Sequence, residues 1–203
     1  MRIWKFLSVV CLWSVLSVLL VGSSGCGQRW CRNPEAIRTR LLTAWKDYST
    51  LDLFKDCVRA ETLEKNRTLP ILMEALKDED TLVRQSAAIA LERIGPNARA
   101  AVPSLIEALK DQDANVRSRA ARALGYVAPD AETVVPPLIE ALKDKHFAVR
   151  GHATVALGLL GAEAKAAIPA LIEALDDKEE SVRRGAVKAL QQIEGGPGPG
   201  RIR

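Results

Sequence analysis

One ten-residue phrase recurs four times along this chain, with a constant spacing of 33 residues between copies. VPSLIEALKD at 102–111 returns as VPPLIEALKD at 135–144 and as IPALIEALDD at 168–177, and LPILMEALKD at 69–78 precedes them. A fixed period between about 20 and 50 residues is typical of proteins that stack one supersecondary unit many times. We therefore expect the chain to fold as a solenoid.

The second half of each repeat has the periodicity of an α-helix. A Val-Arg pair recurs every 33 residues, at 83–84, 116–117, 149–150 and 182–183. Counted from that valine, apolar residues at +4, +7, +8 and +11 trace one stripe of a helix. Each repeat is therefore predicted to be a pair of helices, A and B. Helix A should end near Asp78, Asp111, Asp144 and Asp177, and helix B should run toward Ile94, Val127, Leu160 and Ile193.

A proline recurs within the A segment, at positions 70, 103, 136 and 169. Proline fits the first turn of a helix, whereas in the interior it removes one hydrogen bond and bends the helix. The proline is therefore either the first residue of helix A or a kink inside a longer helix A.

Composition favours an all-α fold. Aromatic residues make up only 4% of the chain, while alanine and leucine recur in every repeat. The formal net charge of +4 falls to +2 once Arg2 and Lys5 of the leading segment are set aside. So mild a balance argues against a nucleic-acid partner, because proteins that bind nucleic acid usually carry a concentrated basic patch.

Residues 1–25 have the pattern of an export signal. Arg2 and Lys5 precede a largely apolar run, and the small residues of GSSGC lead to Cys26. The segment resembles a bacterial lipoprotein signal peptide, in which the cysteine after the cleavage point is lipidated. Ser23 departs from that pattern, which usually has leucine there. Ordinary signal cleavage and an uncleaved membrane anchor therefore remain as alternatives.

All three alternatives place the rest of the chain on the extracytoplasmic side of the membrane, because positive charge holds the N-terminus inside. Many lipoproteins that stay in the inner membrane have aspartate after the lipidated cysteine, and this chain has Gly27. An outer-membrane location is therefore favoured if the cell has one. In an oxidising compartment Cys31 and Cys57 could form a disulfide, and the alternative is a pair of free thiols. Their spacing does not suggest zinc.

The segments that flank the repeats differ from them. Asn33-Pro34-Glu35 has the residue types of a helix start, and apolar residues at helical spacing follow. We predict a linker over 26–33 and then a divergent helical pair over 34–66 that covers the exposed end of the stack. The repeats are assigned to 67–100, 101–133, 134–166 and 167–194. The tail over 195–203, GGPGPGRIR, is expected to be disordered.

The repeat wording resembles the HEAT-repeat superfamily, in particular the PBS-lyase HEAT-like repeats, over about residues 69–194. Units of that family read much like GPxAxxAVPxLIEALKD followed by VRxxAAxALGxIG. The resemblance implies a right-handed, all-α, HEAT/armadillo-like solenoid. It also implies a polar ladder between the aspartate that ends helix A and the arginine that opens helix B. That structural role falls to Asp78, Asp111, Asp144, Asp177, Arg84, Arg117, Arg150 and Arg183.

No catalytic constellation accompanies the repeats in the sequence. The bilin lyases that gave these repeats their name attach an open-chain tetrapyrrole, and no chromophore-handling motif is visible beyond the repeat. Related hydroxylases with a di-iron site need several histidine and glutamate ligands. This chain has only His146 and His152, neither of which is followed by glutamate, and both are expected at the surface. We therefore predict no cofactor, no metal and no enzymatic activity.

What distinguishes the repeats is their surface. Positions 85, 89 and 92 of helix B, and their images every 33 residues, are predicted to face solvent. In the third repeat these positions are small and apolar. An apolar patch with a basic rim is a plausible docking site for a protein segment with acidic flanks, with arginine and tyrosine as anchors. The predicted patch consists of Arg119, Arg122, Tyr126, Val155, Leu159, Arg184 and Lys188.

The sequence thus predicts a non-enzymatic scaffold of the bacterial cell envelope. It would bind another protein along the concave face of the solenoid, which the B helices usually line in this superfamily. One alternative is an enzyme or accessory of the bilin-lyase type that binds a tetrapyrrole. Another is a structural module that associates with itself.

Overall fold

The structure, a computed structural model, describes residues 35, 37–39, 68–127 and 131–195. Within these residues every regular element is a helix, and the helices form a stack of A and B pairs, as the 33-residue period predicts. The odd-numbered helices below are the A helices and the even-numbered ones are the B helices. They are α1 (Thr68–Ala75), α2 (Thr81–Ile94), α3 (Val102–Ala108), α4 (Ala114–Val127), α5 (Ala131–Ala141), α6 (Phe147–Leu160), α7 (Ile168–Glu173) and α8 (Glu180–Glu194).

The B helices begin and end where local chemistry dictates. The Asp80 carboxylate accepts the backbone N–H of Leu82 at 2.8 Å and so satisfies one free donor in the first turn of α2. His146 plays the same part for α6, where its Nδ1 accepts the Ala148 N–H at 3.3 Å. The helices α2 and α6 both end at a glycine with positive φ, Gly95 at 65° and Gly161 at 59°.

The recurrent proline occupies both of the positions that the sequence left open. Pro103 lies in the first turn of α3, after a 3₁₀ segment over Gly95–Ala101, and Pro169 has the same place in α7 after Gly161–Ala167. In α5, however, Pro136 and Pro137 lie inside a longer helix. The proline therefore marks the start of the α-helical part of A in two repeats and an interior position in a third.

The core is a set of columns that run along the stack. One leucine of each A helix and one leucine of each of the first three B helices are completely buried. Alanines on the B helices are buried to the same degree, and their small size lets neighbouring helices approach closely. These columns are Leu72, Leu105, Leu138 and Leu171; Leu91, Leu124 and Leu157; and Ala87, Ala120, Ala153 and Ala186. Residues one repeat apart thus occupy equivalent positions in the core.

Only a small part of the predicted capping pair over 34–66 lies among the described residues. Residues 35 and 37–39 are helical, and Ile37 is completely buried in the same core as the repeats. The other predictions for the N-terminus, the export signal, lipidation at Cys26 and the pairing of Cys31 with Cys57, lie outside the described residues. So do residues 196–203 of the tail.

Among the described residues, one helical stretch, Phe147–Asp176, is long and apolar enough to cross a membrane by length and composition alone. The turn at Gly161 divides it into α6 and the following A segment, and both contribute to the buried core of the stack.

Candidate functional site

The B-helix face that the sequence assigned to solvent is partly closed. Of the residues predicted to face outward, Ile89 is 8% exposed, Ser118 is 4% exposed and Gly158 is buried. This part of the prediction was wrong because it considered only the stripe that faces helix A. Each B helix also packs against the B helix of the next repeat, which covers a second flank.

The glycines of the B helices lie at these helix–helix contacts. A Cβ atom on Gly125 of α4 would stand 2.7 Å from the Cα of Ala156 in α6, closer than real Cβ contacts come. A Cβ on Gly158 would meet the Cα of Ala189 in α8 at 3.2 Å. Gly151 differs, since the nearest atom to its Cβ position is 4.0 Å away, on Val182. Gly125 and Gly158 therefore permit close approach of neighbouring B helices, whereas Gly151 does not mark such a contact.

The residues that stay exposed lie on α4, α6 and α8. Tyr126 and Val155 are each 41% exposed. The Arg122 guanidinium lies 6.0 Å from the centre of the Tyr126 ring, within the range of a cation–π contact. Leu159 is half-buried, with its Cδ1 close to the place that a Gly125 side chain would take. Arg184 and Lys188 are exposed on α8. The structure thus places the predicted patch on three consecutive B helices, with Val155 at its centre.

An ion pair lies beside this patch. The Arg122 Nε lies 3.0 Å from the Glu92 carboxylate of α2. Burial raises the pKa of Glu92, while the positive charges of Arg122, Arg119 and Arg93 oppose that rise. Part of the positive charge of Arg122 is therefore already balanced within the stack. On α8, the ion pair that Arg184 makes within the described part of the chain is with Glu180, at 3.5 Å, and both side chains are largely exposed.

His152 is more deeply placed than the sequence predicted. It is half-buried between α4 and α6, and its Nδ1 lies 2.6 Å from the Ser118 hydroxyl. Burial lowers the pKa of His152, and the nearby charges of Arg122 and Arg119 lower it further. His146, by contrast, caps α6. Ser118 and His152 are 34 positions apart, so their contact follows from the stacking of helices and not from any local motif.

A ladder of arginine–aspartate pairs runs along the turn edge of the stack. The Arg84 Nε donates to Asp111 Oδ2 at 2.7 Å, and its Nη2 donates to Oδ1 at 3.1 Å. Its third nitrogen, Nη1, donates to the backbone oxygens of Asp78 and Glu79, at 2.8 and 3.0 Å. One arginine therefore ties the turn of its own repeat to the aspartate of the next repeat.

The same geometry recurs along the chain. Arg117 pairs with Asp144 and Arg150 with Asp177, with Nε distances of 2.7 and 2.6 Å. At the N-terminal end Arg38 gives Asp78 an equivalent pair at 2.7 Å. Each aspartate also accepts the backbone N–H two residues later, which holds the turn; the acceptors are Asp78, Asp111, Asp144 and Asp177.

These contacts shift Asp78, Asp144 and Asp177 toward the ionised form. Hydrogen bonding from Arg150 holds the pKa of Asp177 below its usual value against the opposing effect of burial. Arg38 does the same for the pKa of Asp78. Burial alone would raise the pKa of Asp144, but the hydrogen bonds from Arg117 and the His146 N–H outweigh it, and the net shift is downward.

The ladder stops at Arg183. Its Nη1 donates to the backbone oxygens of Asp177 and Lys178, at 2.7 and 3.0 Å, as in the other repeats. Among the described residues, no carboxylate accepts a hydrogen bond from the Nε or Nη2 of Arg183.

One further surface feature was not foreseen from the sequence. An open groove of about 590 Å³ lies between α5 and the following 3₁₀ segment. Its apolar lining includes Val135, Pro136 and Ile139, and its polar residues are Glu132 and Glu163. No group of three or more potential metal ligands occurs among residues 35, 37–39, 68–127 and 131–195.

Comparison with known proteins identifies the repeats. The family model described as HEAT repeats matches residues 57–110 and 102–191, more than half of the chain. No curated protein matches the chain in sequence. The solved complex of CpcE and CpcF of phycocyanin lyase from Nostoc sp. PCC7120 is similar, with a TM-score of 0.59 and 27% identity over 81% of this chain and 66% of that one.

Designed solenoids share the fold. A designed armadillo repeat protein in complex with the peptide (KR)4 gives a TM-score of 0.57 at 18% identity, over 82% of this chain and 90% of that one. An engineered protein gives 0.54 at 21% identity, over 81% of this chain and 91% of that one. On the family match and the stacked helix pairs together, the chain belongs to the HEAT-repeat family.

Proposed function

We propose that this chain is a non-enzymatic scaffold that holds an acidic segment of another protein against α4, α6 and α8. The observation that carries the proposal is the exposure of Val155 and Tyr126 on a face that is otherwise closed by packing. Aromatic and arginine residues provide much of the binding energy at protein interfaces, and Tyr126 with Arg122 supplies both. The rim of Arg184 and Lys188 favours acidic flanks on the bound segment.

The experiment compares two exposed apolar residues of the same helix. In Val155→Glu, an anionic side chain replaces the centre of the patch, whereas in Phe147→Glu the same change is made at the far end of α6, where Phe147 is 47% exposed. After crosslinking in the organism that makes the protein, the proteins captured by each variant are identified. We expect V155E to lose the partner and F147E to retain it. The proposal fails if V155E captures the same partner with its helical circular dichroism unchanged.

Charge reversal on the rim tests the chemistry of the partner. The double variant R184E/K188E alters exposed side chains of α8 and leaves the ladder in place. An acidic segment should then bind at least about tenfold more weakly at low salt, and the difference should shrink as salt is raised. Equal affinity of the two proteins for the identified partner would exclude an acidic segment.

The proposed location is the extracytoplasmic side of the bacterial envelope, with attachment through a lipid on Cys26. The support is the sequence pattern of residues 1–26. Metabolic labelling with an alkyne fatty acid should mark the wild-type chain and not Cys26→Ser. An unlabelled wild-type chain that has lost residues 1–25 would instead indicate ordinary signal cleavage.

The similarity to the phycocyanin lyase complex keeps a second function in view, the binding of an open-chain tetrapyrrole. The groove beside α5 has a suitable apolar lining, with Glu132 and Glu163 as its polar residues. Titration with a bilin decides the matter, because binding would change its visible absorbance. Self-association is the third alternative, and sedimentation of the chain as a monomer at all concentrations would exclude it.

A further inference from the structure

The last repeat exposes a surface that every earlier repeat buries. Val187 of α8 is 46% exposed. The residues at the same place in the three earlier repeats, Ala88, Ala121 and Thr154, are completely buried. Leu190 is likewise only partly buried, whereas its three counterparts on α2, α4 and α6 are completely buried. On the last A helix, Ile172 is 54% exposed, whereas its counterparts Met73, Ile106 and Ile139 are half-buried.

The earlier repeats show what covers this surface. Thr154 of α6 lies against Gly185 of the next B helix, since a Cβ atom on that glycine would collide with the threonine side chain. Gly125 of α4 lies against Ala156 of α6 in the same way. The occupant at each internal position is therefore the helix pair of the following repeat. We call the corresponding surface of the last repeat, formed by Ile172, Arg183, Val187 and Leu190, the end face.

The ladder indicates which chemical group would fit beside Arg183. Arg84, Arg117 and Arg150 each give two hydrogen bonds to an aspartate of the following repeat. Arg183 keeps the bonds to its own turn, so its guanidinium is held in the same register as the others. A carboxylate that approaches the end face at the ladder position would thus meet a donor pair that is already oriented.

We propose that the end face docks a helical pair of another protein, one that presents an aspartate between its two helices to Arg183. The exposed Val187 and Ile172 supply the apolar contact, and Arg183 sets the register. This surface is distinct from the patch around Val155, so the two proposals stand or fall separately.

A second copy of this chain fits the end face less well. The ladder aspartates among the described residues, Asp78, Asp111, Asp144 and Asp177, are all held by arginines of their own chain. A symmetric contact between two end faces would bring the two Arg183 side chains together, which like-charge repulsion opposes. A carboxylate from a different protein can pair with Arg183 without breaking an existing arginine–aspartate pair and without bringing two Arg183 side chains together.

The test places a photoreactive p-benzoylphenylalanine at position 187 of the full chain, in the organism that makes it. The crosslinked peptide is then identified by mass spectrometry. We expect a peptide from another protein that contains an aspartate between two helices. Arg183→Glu should lower the crosslink at least about tenfold, and changing that partner aspartate to arginine should restore it. Arg183→Lys serves as the milder variant should R183E prove unstable, and it should weaken the crosslink by loss of the paired hydrogen bonds.

The matched control closes the end face. Repeating residues 162–194 after Glu194 adds a fifth helix pair whose aspartate falls at the ladder position, and it should abolish the crosslink from position 187. The same addition should leave any crosslink from position 155 unchanged. Several results would overturn the proposal: no crosslink, a crosslink to residues 196–203 or to a second copy, a partner peptide without such an aspartate, or a crosslink that survives closure of the end face.

Discussion

At the scale of single residues, the ladder arginines show how a buried charge is stabilised when its hydrogen-bond donors have partners. The Arg150 side chain is 8% exposed, and it meets one carboxylate and two backbone oxygens of the turn between α5 and α6. Removing such a residue leaves both a buried carboxylate and free carbonyl groups, which is far costlier than losing a surface ion pair.

Arg150→Ala should therefore lower the free energy of unfolding by about 3–5 kcal/mol. Arg183→Ala is the matched control, because Arg183 makes the same backbone contacts but has no carboxylate partner among the described residues. Its cost should be about 1–2 kcal/mol, the value of two hydrogen bonds to backbone. Urea unfolding measures both. Equal losses in the two variants would mean that the aspartate contributes little to the rung.

Residue identities alone predicted part of this arrangement. The aspartate and arginine columns were visible as a period of 33, and the HEAT resemblance indicated that they pair. The pairing of an arginine with the next repeat, 27 residues later, required the stack itself. The contact of His152 with Ser118 was not predicted, because the sequence reading gave histidine 152 no neighbour from the preceding repeat.

At the scale of helices, the sequence predicted each B helix well because its signals are local. The apolar stripe counted from the Val-Arg pair lies entirely within the helix. The error concerned the second flank of the B helices, which hydrophobic periodicity does not reveal. That flank is built from small and polar residues, such as Ser118 and Gly158, and it reads as solvent-facing although the next B helix covers it.

Replacing Gly125 and Gly151 by alanine should change the stability of the protein in opposite directions. In Gly125→Ala the new Cβ meets the backbone of Ala156 at 2.7 Å, so α4 and α6 must separate, and we expect a loss of about 1–3 kcal/mol. In Gly151→Ala the nearest atom is 4.0 Å away, so the higher helix propensity of alanine should add up to about 1 kcal/mol. Thermal unfolding monitored by circular dichroism at 222 nm compares them. A similar shift for both would show that the α4–α6 contact can relax freely.

At the scale of the whole molecule, stability is shared between neighbours. Each internal helix pair contacts the pair before it and the pair after it, and each of these rungs of the ladder crosses one such boundary. In a solenoid the boundaries, more than the individual units, hold the repeats together. A condition that weakens every rung at once should therefore act on the whole stack, whereas a single substitution acts on one boundary.

Acid acts on three rungs together, those of Asp78, Asp144 and Asp177. The folded-state pKa values of Asp78, Asp144 and Asp177 lie below the usual value near 3.8, so folding favours their ionised forms. Their contribution to stability is fully present above the unfolded-state pKa and is lost as pH falls through the lower folded-state values. We expect the urea midpoint to change little from these groups above about pH 5 and to fall steeply below about pH 4.

The variant Asp177→Asn identifies the source of that acid sensitivity. It should be less stable than wild type at pH 7, because Arg150 then lacks a charged partner, but the difference should narrow as pH falls below about 4, where wild type also loses the carboxylate charge. Glu140→Gln is the control, since this glutamate side chain is 74% exposed and meets only Lys143 at 3.5 Å. Its urea midpoint should follow wild type at every pH. A constant difference between D177N and wild type down to pH 2 would show that the ladder aspartates do not cause the acid unfolding.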